Sequence, residues 1–388
     1  MIEVEQALSL IDAHASPLGV EQTSVSAAIR DRVLSEKVIA PADLPSFRQS
    51  SMDGFALCYQ EGIRQYSVVG EVAAGSSETF DLNPGEAVRI FTGARVPESC
   101  DRVIMQEQVV FAHNTAELMA DTCSGQNIRA VGSQIQKGQI VLKDGSKLTP
   151  ASLGLLASLG IESISVYQKP SVAIVVTGNE LVPLGETKNE VQVYESNSLA
   201  LQAALGGLDL KVEMILFALD DPDQTVTQLA KALHTADLVL ISGGISVGDY
   251  DYVADALKTI EVDSVFYTVR QKPGKPLFFG KKGEKAVFAL PGNPASTLTC
   301  FYVYVKRYLE QIQGQLPREM LLTLETPIEN RFGRALFVKA QRSGGTITPI
   351  DEFNSATLMS FAKANALIYV PADTARIEAQ TKVKAIAL

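Results

Sequence analysis

The chain has 388 residues, and at one domain per about 150 residues this length predicts roughly two to three domains with sizeable cores. Hydrophobic residues make up 46% and charged residues 20%, which is the composition of a folded chain rather than of a disordered one. Lys and Arg number 34 against 44 Asp and Glu, a net charge of −10. This balance argues against a nucleic acid partner held by bulk positive charge.

Hydropathy and the cysteines set further limits. The longest apolar stretch near the middle, residues 153–161, is too short for a bilayer, and Glu3 and Glu5 interrupt the N-terminal segment. The three histidines form no HExxH pattern, and the four cysteines lie far apart without a CxxC pair. We therefore expect no disulfide framework, zinc site or haem attachment, and a soluble protein of the reducing cytoplasm without a membrane partner.

The first part of the chain changes pattern twice. Apolar residues recur at helical spacing between positions 4 and 11 and again between 25 and 33, so residues 1–36 are predicted to be helical. Residues 37–137 alternate short β-branched runs with Gly, Pro and Asn turns, which predicts a β-rich module. Pro150 suits the first position of a helix, and we expect a short helix from there to about residue 160.

After residue 170 the pattern becomes a regular alternation of strands and helices. The predicted strands cover residues 171–176, 210–219, 238–241 and 262–269, with a β-pair in 278–290, and the predicted helices cover 196–205, 221–236, 252–260 and 294–312. Ser196 and Asp221 are the expected N-caps of the first two helices. This order predicts an α/β fold, a doubly wound and mostly parallel sheet with helices on both faces. From Pro317 onward, short alternating strands predict a small β-module.

Residues suited to chemistry follow the predicted strands. The five junctions are residues 177–180, 220–221, 242–244, 272–276 and 291–294, and they contain glycines, carboxylates and lysines. In open parallel sheets, ligands bind beyond the carboxyl ends of the strands, so we expect these junctions to meet at one edge. Each junction alone is typical of a turn, a helix cap or a solvated charge. Their convergence makes a functional site the stronger interpretation.

The residue types at this edge favour an anionic ligand together with a metal ion. Glycines let backbone N–H groups approach phosphate oxygens closely, and Lys272 and Lys275 add positive charges for phosphate or another oxyanion. Glu180, Asp220 and Asp251 are hard oxygen ligands of the kind that Mg²⁺ prefers, usually shared with water and phosphate.

Six motifs occur in the order seen in one known family. They are SSMDGFA at 50–56, RIFTG at 89–93, TGNEL at 177–181, the loop at 242–251, PGKP at 273–276 and LPGNPAS at 290–296. In these motifs the chain resembles the molybdopterin molybdenumtransferase (MoeA-type) family of molybdenum cofactor biosynthesis, to which the E-domain of gephyrin is similar. The resemblance spans essentially the whole chain.

The resemblance implies a four-part architecture. Residues 1–36 and 138–170 would form an N-terminal linker and dimerisation domain of helices and strands, with 37–137 as an inserted β-rich domain. Residues 171–318 would form the α/β molybdopterin-binding domain, and 319–388 a C-terminal β-barrel. It also implies a homodimer with an active site shared between subunits.

The implied reaction is insertion of molybdate into adenylylated molybdopterin, with release of AMP and a requirement for Mg²⁺. Molybdopterin adenylyltransferase and molybdoenzymes would be further partners. Matching positions imply catalytic roles for Asp53, Thr92, Glu180, Asp220, Asp251, Lys272 and Lys275, with Glu180, Asp220 and Asp251 also as metal ligands. The implied substrate-binding residues are Thr177, Gly178, Ser242, Gly243, Gly244, Ser246, Gly248, Pro291, Gly292, Asn293, Pro294, Ser296, Arg334, Ser355 and Ser360.

Two alternatives stay open at this point. The α/β domain also resembles molybdopterin adenylyltransferase, which would use ATP. A non-catalytic molybdopterin-binding scaffold is the second alternative. It is motivated by three departures from the family pattern, since Gln134 stands at a commonly acidic position, Thr268 at a common Lys and Lys339 at a common Arg.

Overall fold

A computed structural model of the chain describes residues 1–245, 252–317, 319–350 and 358–388. These residues form two compact units, one of Met1–Gln22, Asp31–Ser35 and Ser165–Leu388 and a second of Thr23–Arg30 and Glu36–Ile164. The α-helices of the described part are α1 (Val4–His14), α2 (Pro150–Ser158), α3 (Asn197–Gly206), α4 (Pro222–Thr235), α5 (Tyr252–Thr259), α6 (Pro294–Cys300), α7 (Lys306–Ile312) and α8 (Leu358–Lys363).

The strands follow in chain order. They are β1 (Val20–Ser24), β2 (Val38–Ile39), β3 (Gln49–Ser50), β4 (Gly54–Leu57), β5 (Gln65–Val72), β6 (Glu86–Ile90), β7 (Arg102–Met105), β8 (Val109–Ala112), β9 (Thr115–Leu118), β10 (Ile128–Arg129), β11 (Ile140–Leu142), β12 (Ser163–Tyr167), β13 (Val172–Thr177), β14 (Leu181–Val182), β15 (Val193–Tyr194), β16 (Val212–Ala218), β17 (Leu238–Ser242), β18 (Asp263–Thr268), β19 (Gln271–Lys272), β20 (Pro276–Lys282), β21 (Lys285–Leu290), β22 (Met320–Leu324), β23 (Ile328–Glu329), β24 (Ala335–Ser343), β25 (Thr346–Pro349), β26 (Ala366–Val370), β27 (Arg376–Ile377) and β28 (Lys382–Ala387).

A six-stranded sheet in the order β16-β13-β17-β21-β20-β18 organises the first unit. Its first four strands are parallel, and β20 runs antiparallel to both of its neighbours. All positions of β13 and β17 are buried, which requires cover on both faces.

The side chains of β13 show that both faces are covered. Val172, Ile174 and Val176 pack in one core cluster with residues of α3, α6 and α7. The alternate residues Ala173 and Val175 pack in a second cluster with residues of α4 and α5. Because successive strand residues point to opposite faces, this division confirms the predicted doubly wound α/β fold.

The last part of the first unit is a closed barrel. Strand β24 pairs with β25 and β26, β26 pairs with β28, β28 with β22, and β22 with β25, so the ring returns to its starting strand. The predicted C-terminal β-barrel is therefore confirmed.

The second unit has its own six-stranded sheet, in the order β7-β4-β6-β5-β9-β8. It is mixed, since β5 and β6 are parallel and the other neighbours are antiparallel. This confirms the β-rich module. Helix α2 begins as expected at Pro150, and Thr149 and Ser152 form a reciprocal capping box at its start.

Two local predictions are wrong. Of residues 1–36, predicted to be helical, only Val4–His14 forms an α-helix, and Val20–Ser24 forms β1. Residues 25–33 do not form a helix, because their hydrogen bonds go to other segments: the Val25 N–H donates to Glu162 O, and Val33 O accepts from the Tyr167 N–H. Only a single 3₁₀ turn, Ala27–Ile29, forms there. Ser196 stands at the start of α3 but makes no cap through its side chain, and Glu195 Oε1 instead accepts from the Ser198 N–H at 2.9 Å.

The predicted helix of residues 294–312 is present but not uniform. It consists of α6, a π-helical segment Phe301–Val305 and α7. In the described ranges, no helix is both long and apolar enough to cross a membrane.

Candidate functional site

A cavity of about 1180 Å³ lies beyond the carboxyl ends of the parallel strands in the first unit. This volume exceeds that of an ordinary small-molecule pocket, so a ligand of nucleotide size or larger fits it. The predicted residues that line it are Thr177, Gly178, Glu180, Asp220, Ser242, Gly243, Gly244, Lys272, Lys275, Pro291, Gly292, Asn293, Pro294, Ser296 and Arg334. All five predicted strand junctions, and one arginine of the barrel, thus meet at one cavity.

The remaining predicted residues fall into three groups. Ser246, Gly248, Asp251 and Ser355 fall outside the described residues. Ser360 is fully buried and is not part of the cavity wall; its Oγ accepts a hydrogen bond from Lys339 Nζ at 2.7 Å. Asp53 and Thr92 belong to the second unit.

Two glycines bring the backbone against Thr177 in the cavity wall. Gly243 and Gly244 have φ of 89° and 63°, in the left-handed region that favours glycine. A Cβ on Gly243 would lie 2.5 Å from Thr177 O, and one on Gly244 would lie 2.4 Å from Thr177 Oγ1. These positions therefore need glycine for both conformation and space, which leaves backbone rather than side chains facing this part of the cavity.

Asn197 is a cavity residue that the sequence interpretation missed. Its Nδ2 donates to Ser242 Oγ and to Gly292 O, both at 2.8 Å. Because a carbonyl only accepts, the amide nitrogen must face Gly292, and Oδ1 points away from it. Asn197 Oδ1 and Thr177 Oγ1 are buried and have no hydrogen-bond partner among the described residues. The described residues thus leave two buried polar atoms of these wall residues without a hydrogen bond. The sequence signal for Asn197 was the segment ESNS at 195–198, directly after β15, where only Ser196 was considered, as a helix N-cap.

Two of the three predicted metal ligands line the cavity. Asp220 is held by reciprocal bonds with Asn179: the Asn179 N–H donates to Asp220 Oδ2 at 3.2 Å, and the Asp220 N–H donates to Asn179 Oδ1 at 3.1 Å. Glu180 folds back over Gly178, where an added Cβ would lie 2.8 Å from Glu180 Oε2. The described residues contain no group of three or more His, Cys, Asp or Glu side chains that could enclose a metal. Two carboxylates with open space beside them fit Mg²⁺, which is commonly held by one or two carboxylates, water and substrate phosphates.

A buried network supports the loop that carries the two lysines. Gln271 is fully buried, and its Nε2 donates to Gly274 O at 2.8 Å. The hydroxyl of Tyr304, within the π-helical segment, donates to Gln271 Oε1. Gly274 has φ of 81°, and a Cβ there would lie 2.5 Å from Cys300 Sγ. This packing fixes the loop between Lys272 and Lys275 from the protein interior.

Lys272 has an unusual neighbour. Its Nζ lies 3.4 Å from the centroid of the Phe332 ring. Burial lowers the pKa of Lys272 from its usual range, and the positive charge of nearby Arg334 lowers it further. Lys272 lies in β19, which pairs with β24 of the barrel, and Arg334 directly precedes β24, so these two cations of the cavity wall come from neighbouring segments.

In the second unit, Asp53 and Thr92 contact each other. The Thr92 N–H and its hydroxyl both donate to Asp53 Oδ1, each at 2.7 Å. The backbone hydrogen bond and then the hydroxyl bond lower the pKa of Asp53 from its usual range. The next residue, Gly54, has no room for a side chain because β4 and β7 lie close together there. A Cβ on Gly54 would lie 1.8 Å from Ile104 O. In the MDG motif, strand packing therefore requires the glycine, and the aspartate supplies the carboxylate that Thr92 binds.

Comparison with known proteins gives consistent results along the chain. Three family models match it in succession: the MoeA N-terminal region (domain I and II) at residues 2–160, a probable molybdopterin binding domain at 173–311, and the MoeA C-terminal region (domain IV) at 322–388.

Individual relatives cover most of the chain. A molybdopterin molybdenumtransferase of Haemophilus influenzae is 36% identical over 320 residues, which are 81% of this chain and 78% of that protein. One of Staphylococcus epidermidis is 30% identical over 368 residues, 91% and 88% of the two chains. The solved structure of a molybdopterin biosynthesis moeA protein from Pyrococcus horikoshii OT3 is 28% identical and covers 100% of both chains, with a TM-score of 0.84. The chain therefore belongs to the MoeA family of molybdopterin molybdenumtransferases.

Proposed function

We propose that this protein inserts molybdate into adenylylated molybdopterin and releases AMP. The observation that carries the proposal is the composition of the cavity wall, in which backbone of Gly243 and Gly244, the carboxylates of Glu180 and Asp220, and three cationic side chains meet. Phosphate, a divalent cation and a tetrahedral oxyanion would each find suitable partners there.

The proposed roles follow from this chemistry. Glycine backbone at residues 243–244 accommodates the phosphates of the adenylylated substrate. Lys272, Lys275 and Arg334 bind and orient molybdate as an oxyanion. Glu180 and Asp220, with Asp251, hold Mg²⁺, which supplies neutralisation of phosphate charge. The sulfur ligands of molybdenum come from the pterin dithiolene, so the protein needs no thiolate in the site.

The proposal extends to assembly and location. The active form is a homodimer in which Asp53 and Thr92 of one subunit complete the cavity of the other, as the family resemblance implies. Molybdopterin adenylyltransferase would supply the substrate and molybdoenzymes would receive the product. A reducing cytoplasm suits this chemistry, because dithiolene sulfurs oxidise readily, and Cys58, Cys100, Cys123 and Cys300 are all free thiols.

The direct test is an AMP-release assay. The purified protein, incubated with adenylylated molybdopterin, Mg²⁺ and molybdate, is expected to release AMP only when molybdate is present. Glu180→Ala should abolish this release. Glu186→Ala, a change of the same type at an exposed residue outside the cavity wall, should not.

Three outcomes would contradict the proposal. AMP release at the same rate without molybdate would exclude coupled metal insertion. Consumption of ATP with unmodified molybdopterin would instead identify an adenylyltransferase, and tight binding of the adenylylated substrate without turnover would identify a scaffold.

A further inference from the structure

We propose that Phe332 is a positioning residue that holds the ammonium of Lys272 at the cavity wall, where it meets an oxyanion such as molybdate. This inference rests on the proposed function for the identity of the oxyanion. The contact itself, 3.4 Å from Nζ to the ring centroid, is close enough for a strong cation–π interaction.

The choice of an aromatic ring has a chemical consequence. Among the described residues, no carboxylate forms a salt bridge with Lys272. A carboxylate would fix the ammonium but would also neutralise its charge and compete with an incoming anion. The face of a phenyl ring attracts the ammonium through its quadrupole and carries no net charge. Phe332 can therefore hold Lys272 in place while the positive charge stays available.

The loop that carries Phe332 is firmly held. Asn330 is buried, and its Nδ2 donates to Arg334 O at 3.0 Å and to Pro371 O at 3.3 Å. Its Oδ1 accepts from the Phe332 N–H at 3.1 Å. At Gly333, where φ is 60°, the carbonyl accepts from Arg270 Nη2 at 2.6 Å. These bonds fix the loop on both sides of Phe332.

The loop is also joined to the segment of Lys272. Strands β19 and β24 pair in parallel, with Lys272 opposite Leu336 and Gln271 opposite Ala335. The strand that bears the lysine and the turn that bears the ring are thus parts of one hydrogen-bonded assembly. Their relative position does not depend on the side chains alone.

Phe332 belongs neither to the barrel core nor to the cavity wall. Its side chain is 40% exposed, and it is not a member of the barrel core. It does not line the cavity either, so it acts through Lys272 rather than on a ligand. The contact by which Phe332 reaches the cavity wall is the one with the Lys272 ammonium.

The contact can be tested without any activity. Reductive methylation with ¹³C-formaldehyde labels lysine amines and preserves their charge, and Lys272→Arg identifies the Lys272 resonance by its loss. We expect this resonance to lie upfield because of the ring current of Phe332. The displacement should vanish in Phe332→Leu and persist in Phe332→Tyr. An undisplaced resonance in the wild-type protein, or one unchanged in Phe332→Leu, would overturn the proposal.

The functional consequence is tested with molybdate. Titration of the labelled protein with molybdate alone should move the Lys272 resonance, with a half-saturating concentration about three- to tenfold higher in Phe332→Leu than in wild type. In Phe332→Leu the KM for molybdate in AMP release should rise by a similar factor, with a smaller change in kcat. In Phe332→Tyr the KM should stay near the wild-type value. Phe111→Leu, at a phenylalanine with similar exposure (44%) in the second unit, is the matched control.

The outcomes separate the two proposals. Wild-type turnover that depends on molybdate, with the same KM in Phe332→Leu, would overturn the role of Phe332 and leave the function standing. Absence of turnover in every variant, with the ring-current and titration differences present, would reject the function and retain the Phe332–Lys272 pair as an oxyanion-binding device.

Discussion

Thr92 donates two hydrogen bonds to a single oxygen of Asp53, one from its backbone N–H and one from its hydroxyl, each 2.7 Å long. Both bonds favour the ionised carboxylate and lower its pKa. The second unit therefore presents a fixed negative charge at a motif that the family resemblance marks as catalytic.

Thr92→Val keeps the backbone donor and removes the hydroxyl, so the pKa of Asp53 should rise toward its usual value. Since the pKa is lowered in the wild type, Asp53 loses its charge only at more acidic pH. In the variant that loss should occur at higher pH. The acidic limb of the pH profile of AMP release should shift upward accordingly. Thr227→Val, which removes an exposed hydroxyl bonded to Asp223 O, should leave the profile unchanged; an equal shift in both would contradict the assignment.

A mixing experiment tests the proposal that the active site is shared between subunits. Asp53→Ala and Glu180→Ala subunits are each expected to be inactive alone. When both are co-expressed with different tags, the heterodimer should contain one intact site of its two, and random pairing should give about a quarter of wild-type activity. If both residues act within one subunit, the mixture stays inactive. Size-exclusion chromatography with light scattering checks that each variant forms a dimer.

Asn197→Ala removes the donor to Ser242 Oγ and Gly292 O, two groups of the cavity wall. Leaving the carbonyl unsatisfied should cost about 1–3 kcal/mol of stability, and the KM for adenylylated molybdopterin should rise. Asn197→Asp should be worse, because it sets a carboxylate oxygen against the Gly292 carbonyl. Thermal melting and the KM measure the two effects separately. Asn189→Ala, on an exposed turn outside the cavity wall, controls for loss of an amide.

Gly244→Ala should destabilise the first unit and impair substrate binding. A Cβ there would lie 2.4 Å from Thr177 Oγ1 and 2.6 Å from Val253 Cγ2, and φ is 63°. Gly283→Ala is the matched control, because Gly283 has a similar φ of 58° but nothing within 4 Å. The free energy of unfolding should fall by only about 1 kcal/mol in Gly283→Ala, which is the cost of left-handed backbone for alanine. It should fall clearly more in Gly244→Ala. Equal melting temperatures would show that the close approach to Thr177 is not needed.

Local patterns were sufficient for most of the α/β domain. The apolar runs at residues 171–176 and 238–241 predicted the strands β13 and β17, and Asp221 followed by Pro222 predicted the start of α4. The Asp221 side chain does accept from the Gln224 N–H at 2.8 Å. Such features depend on neighbours within four residues, so they can be read from a single segment.

The same approach failed where hydrogen bonds go to distant segments. Apolar spacing at residues 25–33 fits a helix, yet the backbone there bonds to Glu162 and Tyr167, which lie more than a hundred positions away. Periodicity carries no information about such partners, and tertiary pairing overrides a weak helical preference.

The sequence by itself determined the order of strands and helices, the edge of the sheet at which the junction residues meet and, through its motifs, the family. Only the tertiary structure decided that Asn197 joins Ser242 and Gly292 in the cavity wall and that Phe332 of the barrel lies against Lys272. The reason is physical: secondary structure follows from contacts between near neighbours, whereas a binding site is made by side chains that only the packed fold brings together.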